Sequence, residues 1–449
     1  IILDCTGKEP TIARAAYSFL MREEYGKKVF YLTVPVVQLK TADANTFSPS
    51  AANLSAFDKS ESWENGNVPV QGGHYLVYNK TLKTPEVEDY LFPGKSLTIV
   101  DPSAKLPFLV FANNFKIPVL RLVDVRLAKG TGTVRNNVRI FVERLEISGN
   151  KNTFVVPNDS YMEIDGPMYG NGCVNIIGNP SNGSKGRVRL AGDNSNYIGK
   201  IKVSVDTATP DPDTIFQTLL IDDEKALGGA MDEMMFDALE LNAYGTLEVT
   251  NSFRIAAERK RGIYVNGDGA ISVPQGEKLA VDTLVTLEGS LVKKGEGTLS
   301  LGGTLDVRSA SELVVTNGVV EVAAADAING ASVKFSKDAA LAIALGSSDA
   351  NLRNYGIRNL SDAPFAADTA QVPLYVDIPS VGDGVKNIEC ALFTVKTEHY
   401  AAADAMFVPK RTGAVRRGWV MKFSSRENGD GSTTKTANLE RAGFAVMVR

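Results

Sequence analysis

The apolar residues of this chain fall in short runs that alternate with polar ones, and Gly, Pro, Asn and Asp separate the runs. The stretch Leu291–Gly303, LVKKGEGTLSLGG, shows the pattern most clearly. Leu291 opens it, Lys293–Lys294 precede Gly295–Glu296–Gly297, and Leu299 and Leu301 alternate with Thr298 and Ser300 before Gly302–Gly303. That spacing predicts a short strand, a tight turn, a second short strand and a corner, with one face buried. Comparable runs occur upstream at Tyr75–Tyr78, Leu97–Val100, Val119–Leu127, Val138–Ile147, Val174–Ile177, Val188–Leu190 and Ile201–Val205. They resume at Gly245–Thr250, Ile263–Val265, Ile271–Val273, Leu279–Leu287, Leu299–Val307, Leu313–Val322, Val333–Phe335 and Leu341–Leu345. Strands this short are marginal alone, so the expectation is a stack of coils about 4.8 Å apart that share one apolar shaft. At about 20 to 25 residues per coil, Ser62–Leu345 would form on the order of a dozen coils and a rod roughly 50 to 60 Å long.

The two ends read differently. Thr11–Gly26 places Ile12, Ala15, Ala16, Phe19 and Leu20 at helical spacing, with Thr11 as N-cap and Gly26 as stop, which predicts a helix. Val29–Leu39 then reads as one or two buried strands and Thr41–Ser62 as a polar loop. Such a segment suits a cap, because a stack of coils leaves open backbone edges at its ends. Beyond Gly346 the repeat fades: Asn351–Leu360 reads as a connecting loop. Val372–Ile378, Ile388–Val395, Ala414–Phe423 and Leu439–Val448 then read as longer strands of a C-terminal cap or small antiparallel sandwich. The expected divisions are thus 1–61, a helix–strand cap; 62–345, the repeat; and 346–449, a β-rich cap or assembly domain.

The block KKGEGTLSLGG resembles the passenger-associated strand repeat of bacterial autotransporter-like surface proteins, whose units carry Lys–x–Gly–x–Gly–Thr–Leu–x–Leu–x–Gly. Arg189–Val203, RLAGDNSNYIGKIKV, is similar to a second hallmark of that family, an Asn–Ser–x–Tyr–x–Gly turn between two strands. ALGGAMDEMMFDALELNAYGTLEV and RGIYVNGDGAISVPQGEKLAV resemble the rest of the array, and SWENGNVPVQGGHYLVYNKTL resembles its opening segment. The resemblance covers Ser62 to Leu345. It implies an all-β protein, a right-handed parallel β-helix outside the cell, and no single activity. The membrane barrel into which autotransporters continue does not follow the repeat here.

Composition agrees with a packed solenoid: of 449 residues, 44% are hydrophobic and 22% charged, with 40 Gly. A net charge of −4 gives no reason to expect nucleic acid or an anionic membrane as partner. There is no apolar run of about 18 residues to span a membrane as a helix. The chain opens at Ile1 without a methionine, as a processed or trimmed chain would. Cys5, Cys173 and Cys390 are too sparse and odd in number for a disulfide framework, offer no zinc pattern, and Asp4 argues against lipidation at Cys5.

Concentrated chemistry is not visible. His74 and His399 stand apart from any Gly–x–Ser–x–Gly elbow or cysteine with catalytic context. Asp222, Asp223 and Glu224 are adjacent, so their side chains diverge rather than converge on a calcium ion. Val265–Val273 and Glu427–Thr433 echo calcium loops, but the ligand positions fall on the wrong residues, and both read as Asn–Gly or Asp–Gly hairpin turns. Outward charges such as Asp124, Arg126, Arg139, Glu143, Arg187 and Arg189 could line a glycan groove, though alternation alone puts charges on any outer face. Arg416, Arg417 and Trp419, in Lys410–Arg426, are candidate contacts for a glycan or partner. The expectation is therefore an extracellular structural rod without cofactor, metal or catalytic site, self-associating through its ends into a surface filament, sheath or coat. The competing expectation is a β-helix that binds or cleaves a cell-surface polysaccharide.

Overall fold

The computed structural model describes residues 18–24, 27–33, 36–38, 55–105, 107–130, 137–157, 160–178, 185–205, 216–242, 244–308, 311–344, 356–378, 387–413 and 419–441. It is a parallel β-solenoid of about ten turns. Each coil contributes a strand to up to three ladders. One coil, for example, runs through Tyr161–Asp165, Met168–Gly170 and Val174–Gly178, and the next through Lys185–Leu190, Asn196–Tyr197 and Ile201–Val205. Each strand pairs in parallel with its counterpart one coil on: Tyr161 with Arg187, Tyr169 with Asn196, and Val174 with Ile201. The third ladder is a separate sheet of 11 strands. The first and second merge because Asn114–Val123, Asn137–Ser148, Glu312–Val322 and Ser332–Ala344 are long enough to run through both.

Alternation sets the interior. Along the first ladder Val138, Met162, Val188, Leu219, Leu247, Ile271, Lys293, Val315 and Phe335 stand in register, one above the next, and all are buried. Eight of these nine are apolar, so each coil shields its neighbour's apolar face, and they join a single core cluster running from Phe57 to Ala437. Leu299, Leu313 and Val333 are members of that one shaft.

Within Leu291–Gly303 the expected units are present as Ser290–Lys294, a turn, Thr298–Leu301 and a corner. Gly295 has φ 74°, and a Cβ there would lie 2.2 Å from the Val273 carbonyl oxygen of the preceding coil, so both conformation and stacking distance require glycine.

Three expectations change. Ser18–Glu24, expected to complete a helix, is a strand paired antiparallel with Lys27–Thr33. Of the residues at helical spacing only Phe19 and Leu20 fall inside it, and short helices are marginal without packing; Thr11–Tyr17 lies outside the described residues. Val372–Ile378 belongs to the second ladder, between Ser332–Ala344 and Phe407–Gly413, so parallel stacking runs on past residue 345. The Asn266–Gly269 turn is a corner between ladders: its flanking strands pair with the coils above and below rather than with each other.

The C-terminal β cap is a four-stranded sheet of Ile357–Arg358, Asn387–Lys396, Ser432–Arg441 and Trp419–Glu427. It grows out of the third side, since the Arg358 amide donates to the Ala325 carbonyl at 2.9 Å. Its first pair is parallel and the later two are antiparallel, which ends the repeat. Helix Thr397–Met406, unforeseen in the sequence, links this sheet to Phe407–Gly413. No helix among the described residues is long and apolar enough to cross a membrane.

Candidate functional site

The outward side chains of the first ladder form columns, because parallel in-register pairing repeats every position one coil on. In the upstream coils Arg139, Glu163 and Arg189 are stacked neighbours. Arg139 pairs with Glu163 at 2.9 Å and with Asp165 at 2.8 Å, and Arg189 pairs with Asp222 at 2.8 Å. Tyr161 donates to Glu163 at 2.7 Å, and burial together with that carboxylate pushes its phenol up to about 12. Arg187 reaches Glu248 at 3.7 Å. These arginines, candidates for glycan contact in the sequence, are therefore neutralised along the ladder.

The other candidates from that set are dispersed. Asp124, with φ 55°, accepts the amides of Asn150 and Lys151, both at 2.8 Å, and so fixes a corner. Arg126 lies on the third ladder beside Pro107 and Thr153, and Glu143 is exposed where a long strand passes from the first ladder to the second. The structure brings no two of these three together.

The acidic triplet divides its labour. Asp222 binds Arg189, Asp223 accepts the Lys225 amide at 2.8 Å to cap a short 3-10 turn, and Glu224 pairs with Arg259 at 2.7 Å. His74 Nδ1 lies 2.6 Å from the Ser96 hydroxyl, and His399 is on the C-terminal helix. Cys173 and Cys390 are free thiols; burial raises both, Cys390 to about 12, so neither has the character of an activated nucleophile. Cys5 lies outside the described residues.

The family-like motifs do structural work inside the coils. Asn194 accepts the Met168 amide and donates to the Ala226 carbonyl, both at 2.8 Å, tying three coils at one corner. Tyr197 is fully buried and donates toward the carbonyls of Gly172 and Lys200, at 2.6 and 2.8 Å. Lys293 is the one charged member of the inner column. Its ammonium donates to the carbonyls of Lys294, Gly295 and Asn317 at 2.8, 2.6 and 3.1 Å, and burial brings its pKa down to about 8.

At the C-terminal end Arg416 and Arg417 lie outside the described residues. Trp419 begins Trp419–Glu427, the outer strand of the four-stranded sheet, which among the described residues pairs along one side only, with Ser432–Arg441. Val420 and Phe423 on this strand are each 47% exposed.

A feature the motifs did not point to lies downstream on the first ladder. Where the upstream coils carry Tyr161 and Arg187, the same outward column continues as Thr218, Thr246, Ala270, Val292 and Val314 before Lys334. Small side chains below bulky ones leave a groove of about 310 Å³ with Thr246, Ala270, Val292 and Val314 on its floor and Tyr244 and Asp268 at its rim. Aligning GTLEV, GAIS, SLVKK and ELVVT by coil would have exposed this run of small outward residues. Comparison with family models, with curated proteins and with solved structures gives no match.

Proposed function

We propose that this chain is an extracellular structural protein of the autotransporter-repeat kind, a stiff rod that self-associates through its ends into a surface filament, sheath or coat. The observation that carries this reading is the single core cluster running from Phe57 to Ala437 through about ten stacked turns. Ten coils at about 4.8 Å give a column roughly 50 Å long that cannot bend without opening its interior. The mutual pairing of Arg139, Arg189 and their carboxylates supports it, since those charges are spent on neighbouring coils.

The outer strand Trp419–Glu427, whose far edge pairs with no strand among the described residues, is the favoured contact, because an unpaired backbone edge accepts a strand from a second chain. Antiparallel pairing of two copies about Phe423 would oppose Phe423 to itself, Val420 to Arg426 and Lys422 to Ser424. No like charges then face each other directly, and because this contact is two-fold it joins rods in pairs, leaving the opposite end to extend a filament.

Sedimentation over a wide concentration range, with electron microscopy of the same samples, tests the reading. End-joined particles are expected, and Phe423→Glu should leave the monomer folded by circular dichroism while abolishing them. A wild-type chain that stays monomeric at every concentration and forms no fibre or lattice would overturn assembly.

A further inference from the structure

We propose that the groove on the downstream first ladder is a binding site for a neutral oligosaccharide. Its volume, about 310 Å³, lies at the lower end of the range of built small-ligand sites. Its floor is an aliphatic strip, Ala270, Val292 and Val314, one residue per coil and in register. Thr246 extends that strip by one coil and is only 4% exposed, yet its hydroxyl has no hydrogen-bond partner among the described residues. A buried hydroxyl is normally satisfied, and one left without a partner beside a groove can serve a ligand's donor or acceptor once its side chain turns toward it. Rotation about one side-chain bond can exchange its methyl and hydroxyl positions.

The rim supplies the complementary groups. Tyr244 holds a left-handed φ of 66°, which is costly for an aromatic residue, and its amide donates to the Asp268 carbonyl at 2.6 Å. Tyr244 and Asp268 therefore border the groove from adjacent coils. An aliphatic strip beside an aromatic ring matches the C–H faces of a sugar, and a carboxylate with hydroxyls matches its O–H groups.

Two competing ligands fit less well. A peptide strand would have to satisfy its own amides, and the ladder's backbone groups are already consumed by the coils on either side. The lining carries one carboxylate, Asp268, and one ammonium, Lys294, so the groove has no net charge with which to select an acidic polysaccharide. The site lies on the flank of the column, and its occupation does not depend on whether the ends assemble.

The test is isothermal titration of the full chain with hexasaccharides of glucose, mannose and N-acetylglucosamine, with a polygalacturonate oligomer and a hexapeptide in parallel. Saturable binding of at least one neutral hexamer is expected. Val292→Arg should weaken it at least about tenfold while leaving the thermal transition in place, because the same column already carries Arg187 and Lys334. Asp268→Asn should weaken it less and Lys334→Ala not at all. Absence of neutral-sugar binding, binding only of the acidic oligomer or the peptide, or binding unmoved by Val292→Arg would each overturn the proposal.

Discussion

The first coils of the column and its middle coils share the same ladders but are filled differently. At the N-terminal end Phe57, Trp63, Tyr75, Phe92, Phe108 and Phe115 make a block of rings, with contacting centroids 4.9 to 6.4 Å apart. In the middle the fillers are aliphatic, with Leu247 in register with Ile271, Leu279 with Leu299 and Leu291 with Leu313. A middle coil is covered on both sides by near copies of itself, so modest side chains suffice. Among the described residues the first coil has a copy on one side only, and bulky side chains fill the interior there. Rings return at the far end, where Phe335, Phe365 and Phe393 all meet Phe407. The difference teaches that repetition builds the length of the rod and unique sequence builds its stops.

The comparison can be broken most directly by emptying one site in each region. Trp63 is fully buried, and its indole N–H donates to the Phe57 carbonyl at 3.1 Å, so Trp63→Ala should cost about 3–5 kcal/mol. Leu299→Ala should cost about 2–5 kcal/mol at a site equally closed to solvent. The spatial pattern separates them more sharply than the totals. In a one-dimensional stack a lost plug frays the nearest coils, whereas a weakened middle coil loosens its neighbours in both directions. Hydrogen exchange should therefore rise in His74–Tyr78 and Ser96–Val100 for the first variant, and on both sides of Thr298–Leu301 for the second. Equal acceleration along the whole chain in the tryptophan variant would show that the ends are not local stops.

A smaller effect sharpens what holds the middle. Lys293→Met removes the donor shared by three corner carbonyls and should cost about 1–3 kcal/mol near neutral pH. The pH dependence has a definite sign. The folded pKa of about 8 lies below the ordinary value of 10.5, so between those values the folded chain holds fewer protons than the unfolded one. Lys293 therefore raises stability as pH climbs from about 8 to 10.5, by at most about 3 kcal/mol, and contributes no slope below that window. Denaturant titrations from pH 7 to 10.5 should show the rise in the wild type and its loss in Lys293→Met.

Much of this architecture was legible because alternation and corner glycines are local signals. Two identical tetrapeptides show where legibility stops. Asn428–Gly431 turns a true hairpin, with Glu427 opposite Thr433, as its sequence suggests. Asn266–Gly269 has the same four residues, but its positive φ falls on the second of them, 82° at Gly267, where the hairpin has it on the fourth, 79° at Gly431, and it joins strands of two different ladders. The residues are the same and the turns are not, and what decides is whether neighbouring coils are present to take the flanking strands, which no window of sequence contains. The groove escaped for a related reason. Thr246, Ala270, Val292 and Val314 are unremarkable one at a time and form a floor only once register stacks them. Arg139 and Arg189 show the opposite limit, since the sequence places them on the outer face and only register shows that they are paired across coils.

The smallest expected effect concerns that pairing. Arg139 is 46% exposed at its side chain although it contacts Glu163 and Asp165, so solvent screens both bonds. Glu163 keeps Tyr161 and Arg189 as partners when Arg139 is removed. Arg139→Ala should therefore destabilise by no more than about 1 kcal/mol, with most of the loss erased by 1 M salt. Its effect on neutral-sugar binding should be nil, because the groove floor begins several coils downstream at Thr246. A loss comparable to that of Leu299→Ala, insensitive to salt, would mean that the outer columns hold the coils together as strongly as the shaft does, and the contrast between plugged ends and a self-supporting middle would have to be redrawn around charge.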